Sequence, residues 1–189
     1  MATEKLDRRV RRTRKLLTQS LTELLEEKEL KDITVKEVSE HADLNRGTFY
    51  LHYKDVYDMM EQIQKELFED FNDILSKNAC DDTCTTPYNL LCQVFLFLND
   101  NKAICKVLTG PHGDYHFIQS LKGLVKEHME RIWIKNQFKI ENLEIYYNYS
   151  ISGILGVIQF WLEGNNDKSP LEMATIVNDL MVRELALFT

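Results

Sequence analysis

Between Asn45 and Lys54 the chain gathers side chains suited to a nucleic-acid duplex: Asn45, Arg46, Thr48, Tyr50, His52, Tyr53 and Lys54. An arginine such as Arg46 can fork onto the O6 and N7 acceptors of guanine, and Thr48 can meet a base edge or a thymine methyl group. Tyr50, His52 and Lys54 can donate to phosphate oxygens, which fixes register without reading sequence. To act together, these groups must ride on one short helix whose N-terminal end enters the major groove.

The residues just upstream supply the scaffold. Thr34-Val35-Lys36-Glu37 has capping-box spacing and predicts a short helix with Val35, Val38 and Ala42 turned inward. That helix breaks at Asp43-Leu44, and Asn45 caps the next one, Arg46 to about His52. Leu44 and Phe49 then pack the second helix on the first and leave Arg46, Thr48, Tyr50 and His52 facing out. The helix start at Thr34 offers backbone amides for one more phosphate. Ahead of this pair, residues 7–28 place Leu16, Leu17, Leu21, Leu24 and Leu25 at helical spacing. Behind it, residues 55–76 contain no Gly or Pro and carry a stripe of Met60, Ile63, Leu67, Phe71 and Ile74. A long helix is expected there.

The net charge of −7 is unevenly spread. Residues 1–15 hold seven basic groups against Glu4 and Asp7, a net of +5, whereas residues 57–189 hold 11 basic and 19 acidic groups, a net of −8. Basic residues at a helix start oppose its dipole, so their presence there needs another reason. A basic arm on an acidic body fits a local footprint for phosphates.

The stretch Leu44-Asn-Arg-Gly-Thr-Phe-Tyr-Leu-His-Tyr-Lys-Asp55, preceded by a capped helix and followed by a long one, resembles the DNA-binding domain of TetR/AcrR-family regulators. The likeness covers roughly residues 8–65, and its most specific part is Gly47-Thr48-Phe49-Tyr50 with His52 or Tyr53 after it. Residues 152–165 are more loosely similar to the penultimate helix of some members. The resemblance implies an all-α homodimer with one DNA-reading head per subunit. It also implies a repressor that leaves its operator when a small ligand enters the C-terminal domain. Carried over position by position, Thr34, Arg46, Thr48, Tyr50, His52 and Lys54 fall where the family commonly contacts DNA, and Asn45, Gly47 and Tyr53 belong to the same site. Two positions depart from the pattern. Val56 stands where a Lys is common, and Asp43 stands in a turn that often has Gly.

The expected organisation is all-α. A three-helix helix-turn-helix domain (residues 1–54) is joined by the long helix to a helical regulatory and dimerisation domain (residues 55–189). After the polar segment 76–88, further helices are expected near 88–100, 101–109, 117–134, 141–163 and 170–187. The helix at 141–163 is apolar on nearly every side, which in a small protein is most simply satisfied across a subunit interface. Ile151, Gly153, Ile154, Val157, Phe160 and Trp161, with Ile176 and Leu180 of the last helix, are the expected homodimer contacts in a two-fold four-helix arrangement. Helical spacing turns Phe95, His128, Trp133, Tyr146, Tyr149 and Gln159 inward as candidate effector contacts, with Tyr88 also a candidate, without fixing a ligand class. Two rivals stand beside the ligand-responsive repressor. One has a C-terminal domain that docks a protein partner; the other is a helical interaction protein without DNA function.

Catalysis finds no support, because no Gly-rich phosphate loop, G-x-S-x-G or H-E-x-x-H is present. Cys80-x-x-x-Cys84 and His112-x-x-x-His116 could be read as a soft metal site, or the cysteines as a thiol switch. Their spacing is looser than that of zinc sites, so no metal or cofactor is expected, and all four cysteines read as free thiols. The longest apolar segment, 151–162, is too short for the ~20 residues that span a bilayer. No apolar run follows the basic N-terminus, so a cytoplasmic protein is expected.

Overall fold

Long apolar periodicities with few breakers fold as helices. The computed structural model describes residues 2–78, 88–110, 113–136 and 143–185. Among these are nine α-helices, one 3-10 turn and no strand: α1 (Ala2–Glu27), the turn Leu30–Asp32, α2 (Val35–His41), α3 (Arg46–Tyr50), α4 (Val56–Asn78), α5 (Tyr88–Asp100), α6 (Lys102–Thr109), α7 (Tyr115–Asn136), α8 (Leu143–Leu162) and α9 (Pro170–Leu185). The all-α expectation holds, and helix ends fall within a few residues of the positions read from sequence. The exception is α1, which begins well before residue 7. None of the described helices is long and apolar enough to cross a membrane.

The chain divides into two compact units, Met1–Leu67 and Phe68–Thr189. The division falls inside α4 rather than ahead of it at residue 55. The first turns of that helix bury Val56, Met59, Met60 and Ile63, which belong to the N-terminal unit.

In the N-terminal unit, α1 packs on α2 and α2 on α3. Leu17, Leu21 and Leu24 of α1 are buried, as are Ile33, Val38, Ala42, Phe49 and Tyr53. In the C-terminal unit the principal pairing is α5 with α9, and α6 bridges to α5, α7 and α8. The core there joins Leu91, Val94, Phe95 and Leu98 of α5 to Cys105, Trp161, Leu162, Met173, Ala174 and Val177. Phe95 meets Trp161 edge to face, with ring centroids 5.4 Å apart, a geometry that ring quadrupoles favour. The Trp161 indole N–H donates to the Lys168 carbonyl oxygen at 2.9 Å, so the buried ring leaves no orphan donor. A second, smaller cluster sets Tyr146 and Tyr147 against Met129 and Ile151.

Local sequence sets the boundaries of this unit. Ser169 and Glu172 close a capping box: the Ser169 amide and hydroxyl both donate to Glu172 Oε2, and Ser169 Oγ accepts from the Glu172 amide. Pro170 occupies the first position of α9, where no amide donor is needed. At the end of α8, Gly164 adopts φ +82°, a conformation open to glycine without penalty.

Candidate nucleic-acid interface

The reading helix is short, so its placement depends on caps and turns more than on its own propensity. Thr34 and Glu37 form a reciprocal capping box at the start of α2. Thr34 Oγ accepts from the Glu37 amide at 3.2 Å, and Glu37 Oε2 accepts from the Thr34 amide at 2.9 Å. Lys28 reaches across from beyond α1 and donates to Glu37 Oε1 at 2.6 Å. Lys28, then the Thr34 hydroxyl and amide, lower the Glu37 pKa from 4.5 to about 2.

The break between α2 and α3 is a Schellman turn. The Leu44 amide donates to the Ser39 carbonyl at 2.8 Å and the Asp43 amide to that of Glu40 at 3.1 Å. Asp43 sits at φ +53°, the one non-glycine residue with positive φ among those described. Asn45 then caps α3, its side-chain oxygen accepting from the Gly47 amide at 2.8 Å. Phe49 is fully buried beneath α3. Its ring lies 5.7 Å from Tyr50 and 5.6 Å from Tyr53, so one aromatic anchor seats the helix.

This placement separates the sequence-derived candidates. Thr34, Asn45, Arg46, Gly47, Tyr50 and Lys54 are exposed, while Thr48 and His52 are half-buried. Thr34 is exposed but already committed on both sides to its capping box. Tyr53 is buried, and its hydroxyl accepts from Arg14 Nε at 3.1 Å. The same guanidinium lies over the Tyr53 ring, 5.6 Å from its centre, and pairs with Glu66 of α4. Tyr53 first, and Glu66 with it, raise the Arg14 pKa. Arg14 therefore belongs to a clasp joining α1, the segment after α3, and α4. Arg8, Arg9, Arg11, Arg12 and Lys15 are exposed along the same half of α1.

Burial, and then the positive charge of Arg14, lower the His52 pKa below 6.5. Both causes favour the neutral imidazole, which keeps one N–H donor. The Lys54 amide donates to Asp58 at 2.8 Å, and Asp55 caps α4 through the amides of Tyr57 and Asp58. Those bonds fix the backbone from which Lys54 projects. Val56, where a lysine was one expectation of the family pattern, is buried.

In the C-terminal unit the candidate effector residues are spread out. Phe95 lies in the main core and Tyr146 in the smaller cluster. Tyr149 is exposed. Gln159 donates to the Thr109 carbonyl at 2.6 Å, beside a cavity of about 10 Å³ lined by Lys106, Gly110 and Leu162, room for about one water. His128 is buried with no hydrogen-bond partner for Nε2 among the described residues. Its burial, with Arg131 contributing, lowers its pKa. Trp133 lies on α7, with its side chain outside the described set.

Of the expected dimer contacts, Gly153, Phe160, Ile176 and Leu180 are exposed, and Ile151, Ile154 and Val157 are half-buried. Trp161 belongs to the core of the unit. Cys92 and Cys105 are free, and burial pushes the Cys105 thiol up to about 12, so it stays protonated. Cys80, Cys84 and His112 lie outside the described residues. Among those described, no group of three His, Cys, Asp or Glu could hold a metal ion.

The sequence-derived reading missed Arg14 and Tyr53 as a pair. Their partners are remote in sequence, and no local pattern signals them.

Residues 85–183 match a TetR-type family model described as a transcriptional regulator C-terminal region. The chain is 24% identical over 173 residues to YxbF of Bacillus subtilis (strain 168), an uncharacterized HTH-type transcriptional regulator. That match covers 86% of the chain but 43% of YxbF, so the chain spans less than half the length of this relative. Among solved structures, the fatty acid degradation regulator FadR of Bacillus halodurans superposes with a TM-score of 0.70 at 14% identity, over 89% of this chain and 93% of that one. NalD, the secondary repressor of a multidrug efflux pump in Pseudomonas aeruginosa, gives 0.65 at 16% identity, over 92% and 95%. At these identities the structural likeness is one of fold. The family match, over more than half of the chain, settles the class: the chain belongs to the TetR family of transcriptional regulators.

Proposed function

We propose that the chain is a cytoplasmic, ligand-responsive repressor that binds a pseudo-palindromic operator as a homodimer. One observation carries the DNA reading. Asn45, Arg46, Gly47 and Tyr50 stand exposed along a capped helix anchored by the fully buried Phe49, and Lys54 is exposed in the segment that follows it. In this reading Arg46 and Thr48 meet base edges, while Tyr50, His52 and Lys54 hold phosphates. Thr34 acts by setting α2, and Tyr53 by seating Arg14. The exposed arginines of α1 add attraction to the duplex.

Support for the homodimer comes from α8 and α9. Tyr149, Ser152, Gly153, Gly156 and Phe160 form one exposed stripe on α8. A Cβ at Gly153 or Gly156 would meet nothing within 4 Å, so another backbone can come close. Ile176 and Leu180 extend the apolar surface on α9. Support for an effector comes from His128, together with Ser150 Oγ and Asn178 Oδ1, which are also buried without partners among the described residues. Such atoms are costly unless something satisfies them.

The test is selection from a pool of random duplexes with the full chain. The expected product is an inverted repeat whose half-site centres lie ~34–36 Å apart or at a multiple of that spacing. Affinity should fall linearly with the logarithm of salt concentration. Enrichment of nothing overturns the DNA reading; enriched sites without two-fold symmetry overturn the dimer.

A further inference from the structure

We infer that Leu51 is a specificity-determining residue that reads the 5-methyl group of a thymine in the major groove, an inference that rests on the DNA reading above. Leu51 is 81% exposed, the most exposed large apolar side chain among the described residues. A lone exposed leucine is ordinary on a protein surface. The neighbours of this one give it meaning. Helical geometry continues through it, with φ −72° and ψ −18° and its amide donating to the Thr48 carbonyl at 3.3 Å. Leu51 therefore lies one turn after Gly47 on the same face, directly beside Tyr50, which is 59% exposed.

A helical side chain leans back over the turn before it, so Leu51 covers the surface next to Gly47. No side chain stands at Gly47, and a Cβ there would meet only Asn45 Oδ1, at 3.3 Å. The reading face thus carries a cation at Arg46, a notch at Gly47 and an apolar wall at Leu51. Phosphates give an apolar wall nothing to bind. In the major groove the thymine C5-methyl is the base group that does. The notch lets a base edge approach close enough for that contact, within reach of the group that Arg46 reads.

The probe is deoxyuridine, which keeps every hydrogen-bonding group of thymine and lacks only the methyl. With the operator selected by the full chain, each thymine of a half-site is replaced singly by deoxyuridine at fixed salt. Wild-type protein should lose about fourfold in affinity at one thymine per half-site, the effect of one buried methyl. Leu51→Ala should bind the thymine operator several-fold more weakly and show a thymine-to-deoxyuridine ratio near one at that position. It should keep wild-type ratios elsewhere. Its melting temperature should match wild type, since Leu51 is exposed. If Leu51→Ala keeps the wild-type ratio at every thymine, or binds the thymine operator as tightly as wild type, the inference is overturned while DNA binding stands. If wild-type protein enriches no sequence at all, the DNA reading itself fails, and this inference with it.

Discussion

Seven basic side chains crowd residues 1–15, and their type alone makes each a candidate for phosphate. The fold treats Arg14 differently, turning it inward to Tyr53 and Glu66, partners 39 and 52 residues away. No periodicity or short motif encodes a contact over such distances, which is why the role of Arg14 was not legible in the sequence. The exposure of Arg46 was legible, because a capped helix fixes its side from neighbouring residues alone. Three substitutions separate the roles. Arg46→Ala should cost ~1–3 kcal/mol of operator affinity and relax preference at one base position. Lys54→Ala should weaken binding evenly across sequences and reduce the salt slope by about one. Arg14→Ala should lower fold stability by about 1 kcal/mol, a value kept small because the pair is partly solvated. It should weaken operator binding with the salt slope unchanged. Plots of log affinity against log salt for the three variants provide the check. A slope loss for Arg14→Ala equal to that for Lys54→Ala would place Arg14 on a phosphate.

Elements whose ends are closed by nearby groups were the ones read correctly. The Thr34–Glu37 box and the Asn45 cap each need only residues two or three positions apart. Asp43-Leu44 reads as a break from sequence, and the φ of +53° at Asp43 explains why glycine is common there. Asp tolerates this region better than Ala does, and glycine enters it freely. Asp43→Ala should therefore destabilise by about 1 kcal/mol. Asp43→Gly should be neutral or stabilising, since relief of strain offsets the freedom that glycine adds to the unfolded chain. Urea midpoints should rank Gly at or above Asp, and Asp above Ala; an Ala variant at or above Asp would contradict the turn geometry. The same element sets an acid limit. The folded-state pKa of Glu37 lies below its unfolded value, so its contribution is full above pH 4.5 and is lost as pH falls toward about 2. His52 and His128, also lowered by burial, add a loss that begins as pH drops below 6.5. Glu37→Gln should flatten the stability profile between pH 4.5 and about 2 while leaving the histidine portion in place, as measured by denaturant titration across pH. What escaped the sequence was the burial pattern of α8. A helix apolar all round reads as buried all round, yet its pattern cannot say which residues face their own chain. The fold answers that in part: Trp161 and Leu162 turn into the core, while Tyr149 and Phe160 stay exposed.

At the scale of the whole molecule, the charge map and the all-α class were readable because both follow from composition and pattern summed over the chain. The assembly was not, since it depends on which apolar residues remain after the chain has packed against itself. Phe160 is 51% exposed and Leu180 53%, and the open space around Gly153 and Gly156 lies on the same stripe of α8 as Phe160. In the proposed homodimer this surface is covered by a second copy, and two reading helices then share one operator. Binding of the second half-site becomes intramolecular, and overall affinity exceeds that of one head by a factor of ~10²–10⁴. Phe160→Glu places a charge where the proposed partner would desolvate it, which costs several kcal/mol without a compensating group. Because the position is exposed within the chain, its helical content should be unchanged by circular dichroism. Light scattering at micromolar concentration should report a dimer for wild type and a monomer for Phe160→Glu, and operator affinity should drop by at least tenfold. Wild-type mass and affinity in the variant would move the interface off this stripe, and a monomeric wild type would remove the homodimer altogether.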